Sequence, residues 1–421
     1  MWNTRSTASQ NTCATTRPSD QKTKETEEPR KIKRVQLFPI ATPRQTGIAN
    51  QHVIVKVEAG DSAVGWGEMS DLSHVPMYQF DMGELERMLN QLLQGKDARN
   101  VVKIEDDLIR FFPDEGHMYS RSGLVRQGID LALHDLIARY EGVPVYDLLG
   151  GKLRDRMRVC YPIFRMRSVE EVEPNLERVA EKLTQGFDLI RVYVGSNLEA
   201  DLQFLGKFAD RFGNKVEIKS LDFSNLLDWR RAIMALERYQ EVVDFMLVES
   251  PAPRNDIDGL AEFRRRCRRP VSEHVLHIHH GWQLLSNGCV DILNVSPYLL
   301  GGLQASLRLI ALAEAARASV LIGTTQELNL GTAAVAHLAA AARVLDYPGD
   351  STGPHLYTDD AVKEPVRYEK SHLLVPESPG MGVEIDEVKL QEMTANAEWT
   401  FGVDLAGVLD RTAANRPSAK K

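Results

Sequence analysis

The sequence predicts an α/β fold, a parallel (β/α) barrel preceded by a separate α+β domain. Strand-like and amphipathic segments alternate after residue 151, whereas before it the strands come together and the helices follow. Six strand-like stretches also end in a reactive residue: Arg191/Tyr193, Asp222, Glu249, His274, Ser296 and Thr324/Thr325. They recur about every 25 residues, the length of a βα unit, which places one functional side chain at the carboxyl end of successive parallel strands. Barrel active sites form on that face.

Residues 1–31 are rich in Ser, Thr, Gln and Lys and lack an apolar core segment, so a disordered tail is expected rather than a secretory signal. The first 19 residues contain no acid and include Arg5 and Arg17, which makes a transit peptide the alternative. Residues 32–150 form the α+β domain. KRVQLFPIAT, QHVIVKVEAG and AVGWGEM alternate apolar and polar residues around a turn at Ala59-Gly60-Asp61, and two helical stretches follow, MGELERMLNQLLQG and GLVRQGIDLALHDLIARYEG.

The barrel, residues 151–347, starts with RVCYPIFR (158–165) and an amphipathic helix that Ser168 can cap and Gly186 can end. LIRVYVG, VEIKSLDF, FMLVES, PVSEHV, VDILNVSP and SVLIGTT supply six further strands. Helical runs such as LDWRRAIMALERYQ and the alanine-rich TAAVAHLAAAARVL separate them. The pattern for an eighth strand, near Ala342–Tyr347, is faint. Residues 348–421 turn to short strands and loops, and a return to the first domain is expected.

Composition bounds the function. Of 421 residues, 43% are hydrophobic and 26% charged, which excludes a disordered or collagen-like chain. No apolar run reaches the roughly 18 residues of a membrane span. The net charge of -8, without a basic face interleaved with aromatics, argues against nucleic acid as a partner. Cys13, Cys160, Cys267 and Cys289 are widely spaced, which suits neither a disulfide framework nor a structural zinc site and fits a reducing cytoplasm.

Asp222, Glu249 and His274 come from three consecutive strands, and two carboxylates with an imidazole can hold a divalent cation above the barrel rim. Each alone could simply cap a strand; three in one register favour the metal. Arg191 and Tyr193, one residue apart, point to the same side. A tyrosine becomes a usable base only where cations hold its phenolate, which Arg191 and a metal could do. His277, His279 and His280 read as helix-surface or packing residues, because a helix after Val275 would send them to different sides.

The succession LIRVYVG, SLDFSN, LVESPAP, PVSEHV, LLGGL, IGTTQELNLGTAA and PGMGVEIDE, with VYDLLGGK at the domain junction, resembles the mandelate racemase branch of the enolase superfamily from about residue 32 to 400. The resemblance implies a (β/α)7β modified TIM barrel with an α+β N-terminal capping domain completed by the C-terminal segment. Most of that branch carries Lys-x-Lys on the second barrel strand, where this chain has Arg191-Val192-Tyr193. Many members place Asp or Lys on the sixth strand and His on the seventh. Here Ser296 and Thr324/Thr325 stand in those regions, and His274 replaces the usual third acidic ligand. These departures argue against racemases, muconate-type cycloisomerases and dipeptide epimerases.

They resemble instead acid sugar dehydratases of the Arg-x-Tyr type, similar to galactarate dehydratase. TGIANQHVIVKV, GEMSDLSHVPMY, VESPAPRND and DSTGPHLY strengthen that match. The resemblance implies Mg2+ on Asp222, Glu249 and His274, Tyr193 as the base with its phenolate held by Arg191, and Tyr119 or Arg191 protonating the departing hydroxyl. Tyr78 competes with Tyr119 for that alignment. Segments 43–51 and 69–78 would close the site. Arg44 would meet a distal carboxylate, and Asp71, His74, Thr325 and Gln326 would contact the substrate, although Asp71 and His74 equally suit loop-turn chemistry. The expected activity is dehydration of an aldarate, above all galactarate, to a 2-keto-3-deoxy (5-dehydro-4-deoxy) product by a cytoplasmic homo-oligomer. The alternatives are a dehydratase of another acid sugar, a cycloisomerase on the same scaffold, a non-catalytic metal-binding barrel or, more remotely, a zinc hydrolase.

Overall fold

The structure, a computed structural model, describes residues 30–45, 49–60, 62–72, 81–213 and 215–397. The chain opens with an antiparallel meander of β1 (Ile32–Pro43), β2 (Ala49–Ala59) and β3 (Ala63–Met69). Val53, Val55 and Val57 alternate along β2 and bury one face against the helices that follow. These are α1 (Met82–Leu93), α2 (Val101–Phe111) and α3 (Arg121–Glu141). Ser120 caps α3 by accepting from Gly123 N at 3.1 Å, and Gly142, at φ 70°, ends it.

Helix α3 is buried along nearly its whole length, because the meander covers one side and the barrel the other. Close approach to β3 depends on glycine. A Cβ at Gly65 would stand 2.1 Å from Ala132 O, and one at Gly67 would stand 2.0 Å from Gly128 O.

Beyond α4 (Val145–Leu148), the expected first barrel strand is divided. β4 (Arg156–Arg158) pairs antiparallel with β12 (His372–Leu374) near the C terminus, and only β5 (Tyr161–Ile163) joins the barrel. The other barrel strands are β6 (Leu189–Tyr193), β7 (Glu217–Asp222), β8 (Leu247–Glu249), β9 (Val271–His274), β10 (Ile292–Val295) and β11 (Ser319–Ile322). They form one parallel sheet in sequential order. The connecting helices are α5 (Val172–Thr184), α6 (Leu198–Phe212), α7 (Trp229–Gln240), α8 (Ile257–Arg266), α9 (Ile278–Ser286), α10 (Pro297–Leu300), α11 (Leu303–Ala316) and α12 (Asn329–Ala341). Ser168 precedes a single 3-10 turn and makes no side-chain cap bond, so α5 starts three residues later than its sequence pattern suggests.

Ala342–Tyr347, the expected eighth strand, has no strand pairing. The barrel closes slightly later. Asp346 N and Asp350 N donate to Val320 O and Ile322 O of β11, while Gly349 N donates to Arg158 O and Cys160 N to Gly349 O. Residues 346–350 thus join the last strand of the sheet to the segment leading into the first, as an extended rung too irregular to continue as a strand.

The remaining chain, ending in α13 (Glu387–Ala395), returns to the capping domain. Met381 N donates to Asp135 Oδ1 at 2.7 Å, Gly380 N to Val143 O at 3.0 Å, and Arg139 binds Glu384 at 2.8 Å. Arg30 and Lys31, assigned to the tail by sequence, already take part, with Lys31 bridging Asp97. The expected disorder of the rest of the tail concerns residues outside the described ones.

Candidate active site

Alternation along β6 aims both Arg191 and Tyr193 into the barrel mouth. Arg191 Nη2 donates to Tyr193 OH at 2.6 Å, and Nη1 lies 3.3 Å from Glu249 Oε1 and 3.1 Å from Asp350 Oδ2. Glu249, at the end of β8, is fully buried and meets a partner on every side. His274 Nε2 is 3.2 Å from Oε1 and Asn294 Nδ2 donates to that oxygen at 3.1 Å, while Lys219 Nζ and Ser220 Oγ reach Oε2 at 3.4 and 3.2 Å. Burial alone would raise the Glu249 carboxyl, but Lys219, Arg191 and His274 hold it well below the usual range.

Asp222 ends β7 beside it, its Oδ1 accepting from Ser224 N at 2.7 Å. Burial and then the Glu249 charge push the Asp222 carboxyl up to about 6, with Arg191 opposing. Two buried carboxylates crowded together, with an imidazole on the adjacent strand, suit a hard divalent cation that would relieve their repulsion. As the side chains stand, no group of three His, Cys, Asp or Glu among the described residues is gathered around one point, since Glu249 is taken up by its cationic partners.

Tyr193 stacks on Phe164, with ring centroids 5.6 Å apart and planes at 20°. Burial pushes its phenol well above the ordinary value. Arg191 opposes this, and Asp222, Glu249 and Asp350 add to it. Tyr119, just ahead of α3, reaches the site from the capping domain. Burial and Asp71 raise its phenol, Arg165 and Arg254 lower it, and the Asp222 charge also acts on it. Tyr298 from α10 lies within the same field and sits in the capping-domain core.

The expected substrate contacts that are described come from three segments of the chain. Asp71 is buried at φ 50°, and its N–H donates to His52 Nδ1 at 3.3 Å. Thr325 and Gln326 follow β11. Gln326 adopts φ 76°, and both Thr325 Oγ1 and Gln326 Oε1 are buried with no hydrogen-bond partner. Arg44 bridges to Tyr357 through its backbone, with its guanidinium over the Phe164 and Tyr357 rings at 5.5 and 5.8 Å. His74 and the competing Tyr78 lie outside the described residues. His277 caps α9 by accepting from His280 N at 3.1 Å, and His280 is buried behind it.

Sequence reasoning missed Asp350, Lys219 and Asn294, and also the buried Glu68 and Glu327, the latter accepting from Thr325 N at 3.1 Å. Asp350 lay within reach, because the recurrence continues from Thr325 by one more βα length to Asp350. Lys219 did not. A register shift between Ile190 and Arg191 leaves Lys219 as the extra residue of a bulge, so it turns inward out of step with the alternation, and its Nζ meets Asp350 Oδ1 at 2.5 Å. A cavity of about 560 Å3 between residues 363–367 and 374–384 contains none of these side chains.

Residues 175–389 match the family described as enolase C-terminal domain-like, and residues 28–150 match the mandelate racemase / muconate lactonizing enzyme N-terminal domain. Muconate cycloisomerase 1 of Rhodococcus opacus is 28% identical over 318 residues, covering 74% of this chain and 81% of that protein. The L-Ala-D/L-Glu epimerase of Bacillus subtilis (strain 168) is 26% identical, covering 82% and 92%. Among solved structures, muconate lactonizing enzyme from Pseudomonas putida superposes with a TM-score of 0.77 at 24% identity, covering 86% of this chain and 99% of that one. The superposition bears out the barrel with its capping domain.

Proposed function

The chain belongs to the enolase superfamily, in its mandelate racemase and muconate lactonizing enzyme branch, and from that membership we propose that it dehydrates an acid sugar, with galactarate as the leading substrate. The observation that carries this reading is the 2.6 Å contact of Arg191 with the Tyr193 hydroxyl beside Asp222, Glu249 and His274. A Lys-x-Lys pair would suit another reaction; an arginine-held tyrosine suits one-sided proton abstraction.

Enzymes of this family use a divalent cation, typically Mg2+, and Asp222, Glu249 and His274 would hold it here. Bound there, it supplies positive charge to the substrate carboxylate as the α-proton leaves. Tyr193 takes that proton as phenolate, its negative charge held by Arg191. Tyr119, a neutral phenol, gives a proton to the departing β-hydroxyl, a step Arg191 can also assist. Base and acid working on one face favour syn elimination, and the enol product tautomerises to the 2-keto-3-deoxy acid.

Formation of that keto acid from a panel of aldarates and aldonates with Mg2+, run beside Tyr193→Phe, tests the reading. Galactarate turnover that Tyr193→Phe and a chelator both lower by roughly 100-fold or more supports it. Unchanged turnover in the variant removes Tyr193 as base, and a silent panel removes the dehydratase. The second reading, a cycloisomerase, is favoured by the likeness to muconate cycloisomerase. Consumption of muconate, followed by its ultraviolet absorbance, would establish it instead.

A further inference from the structure

The loops that leave Asp222 and Glu249 turn through left-handed backbone without using glycine. Ser224 at φ 50° and Asn225 at φ 57° follow Asp222, and Ser250 at φ 50° directly follows Glu249. A side chain disfavours that region, in serine more than in asparagine, so surrounding bonds must hold these turns. The turns bear on the site. Through the first of them Ser224 N and Oγ come back to Asp222 Oδ1, at 2.7 and 3.2 Å.

The side-chain bonds that hold the turns converge on one carboxylate. Glu273 stands one residue before His274 on β9, so alternation turns it to the opposite face of the strand, where it is fully buried. Its Oε1 accepts from Ser250 Oγ at 3.0 Å, His274 N at 2.9 Å and Arg254 Nε at 3.1 Å, and its Oε2 accepts from Asn225 Nδ2 at 2.7 Å. Arg254 Nη2 donates in turn to Asn225 Oδ1 at 2.5 Å. A single side chain thus joins the loop leaving Asp222, the loop leaving Glu249 and the strand end that carries His274.

We propose that Glu273, with Arg254 as its counterion, is a positioning residue: it sets the mutual placement of Asp222, Glu249 and His274 and thereby the affinity of the site for a divalent cation. The proposal rests on the assignment of those three residues to the cation and is independent of which acid the enzyme dehydrates. Partners that orient metal ligands are worth about 10- to 100-fold in metal affinity. Glu273→Gln keeps the volume but replaces one accepting oxygen by a donor, which opposes either Asn225 Nδ2 or the Ser250 and His274 donors.

Titration of the full chain with Mn2+, the free ion followed by electron paramagnetic resonance, tests this in the parent, Glu273→Gln, Arg254→Met, their double variant and Asp222→Asn, with near-ultraviolet circular dichroism checking the fold. The expected result is binding by the parent that Asp222→Asn abolishes, that Glu273→Gln weakens about 10- to 100-fold and that Arg254→Met weakens at least about threefold. The double variant should bind within about threefold of Glu273→Gln, because both changes act through one carboxylate. Parental affinity in both single variants, with binding still lost in Asp222→Asn, overturns the clasp and leaves the cation site standing. Abolished binding in Glu273→Gln with parental affinity in Arg254→Met would make Glu273 a ligand and also overturns it. A parent that binds no Mn2+, or Asp222→Asn binding as the parent does, removes the cation site and the clasp together. Should Glu273→Gln fail to fold, Ser250→Ala decides, since it deletes one bond to Glu273 and leaves the others: affinity lowered at least about threefold supports the proposal, and parental affinity overturns it.

Discussion

Arg191 spends its two amino groups on opposite tasks, one on the Tyr193 hydroxyl and the other on Glu249 and Asp350. Its charge is the main force lowering a phenol that burial and three carboxylates raise. The active form of a base is the deprotonated one, so kcat/KM should climb with pH through the Tyr193 ionisation. Removing the cation in Arg191→Gln should move that ascending limb to higher pH and cut the rate on its lower side by at least about tenfold; a pH profile whose limb stays in place would separate Arg191 from the base. Asp350→Asn should act more mildly, because Glu249 still orients the guanidinium. It should lower kcat by roughly three- to tenfold while leaving KM nearly unchanged, measurable in steady-state kinetics. Residues such as Arg191, Asp222 and Glu249 were legible because a strand end announces them. Asn294 and Lys219 were not, since their importance lies in which oxygen of Glu249 they reach, and one arrives through a bulge.

Glu68, at the end of β3, links the capping domain to the seventh barrel loop. It accepts from Leu328 N at 2.8 Å and Gly331 N at 2.7 Å at the start of α12, and from Ser70 Oγ at 2.9 Å, with His52 Nδ1 3.2 Å away. A carboxylate at a helix N terminus is favoured by the exposed N–H groups and the helix dipole, to the extent of about 1 to 2 kcal/mol when buried. The same contacts fix the loop carrying Thr325 and Gln326 against Asp71, whose N–H meets His52. Glu68→Gln should lower stability by about that amount in denaturant unfolding and raise KM more than it lowers kcat. A KM that does not move would confine Glu68 to holding the helix. At this scale the sequence pattern read six of the barrel strands well, because near-continuous apolar runs such as VDILNV bury both faces. It misplaced the closing rung because DYPGD has no such pattern and is held extended by its neighbours' backbones. Glu68 looked like an ordinary polar strand residue, since its partner lies 260 residues away in sequence.

Across the whole molecule, buried groups of opposite type oppose one another's effect on acid stability. Burial in α12, beside the Tyr146 ring, pushes the fully buried His337 imidazole down to about 4 from an ordinary 6.5. The unfolded chain therefore takes up a proton that the native protein refuses, and stability falls as pH drops from 6.5 towards 4. Asp201 has the reverse effect. Burial outweighs its bonds from Tyr239 OH at 2.7 Å and Gly195 N at 2.8 Å and pushes its carboxyl up to about 6 from 3.8, so the native state holds a proton that the unfolded chain releases. Its contribution is greatest below pH 3.8 and is lost as pH rises through 6. Each swing amounts to at most about 3 kcal/mol, so between pH 4 and 6 the two nearly cancel. Substitution should expose them separately in urea unfolding followed across that range. His337→Phe should gain stability relative to the parent as pH falls, and Asp201→Asn should gain it as pH rises. Parallel profiles for parent and variants would mean that neither group titrates differently on folding, and that the acid response arises instead from the cation-paired carboxylates around Glu249.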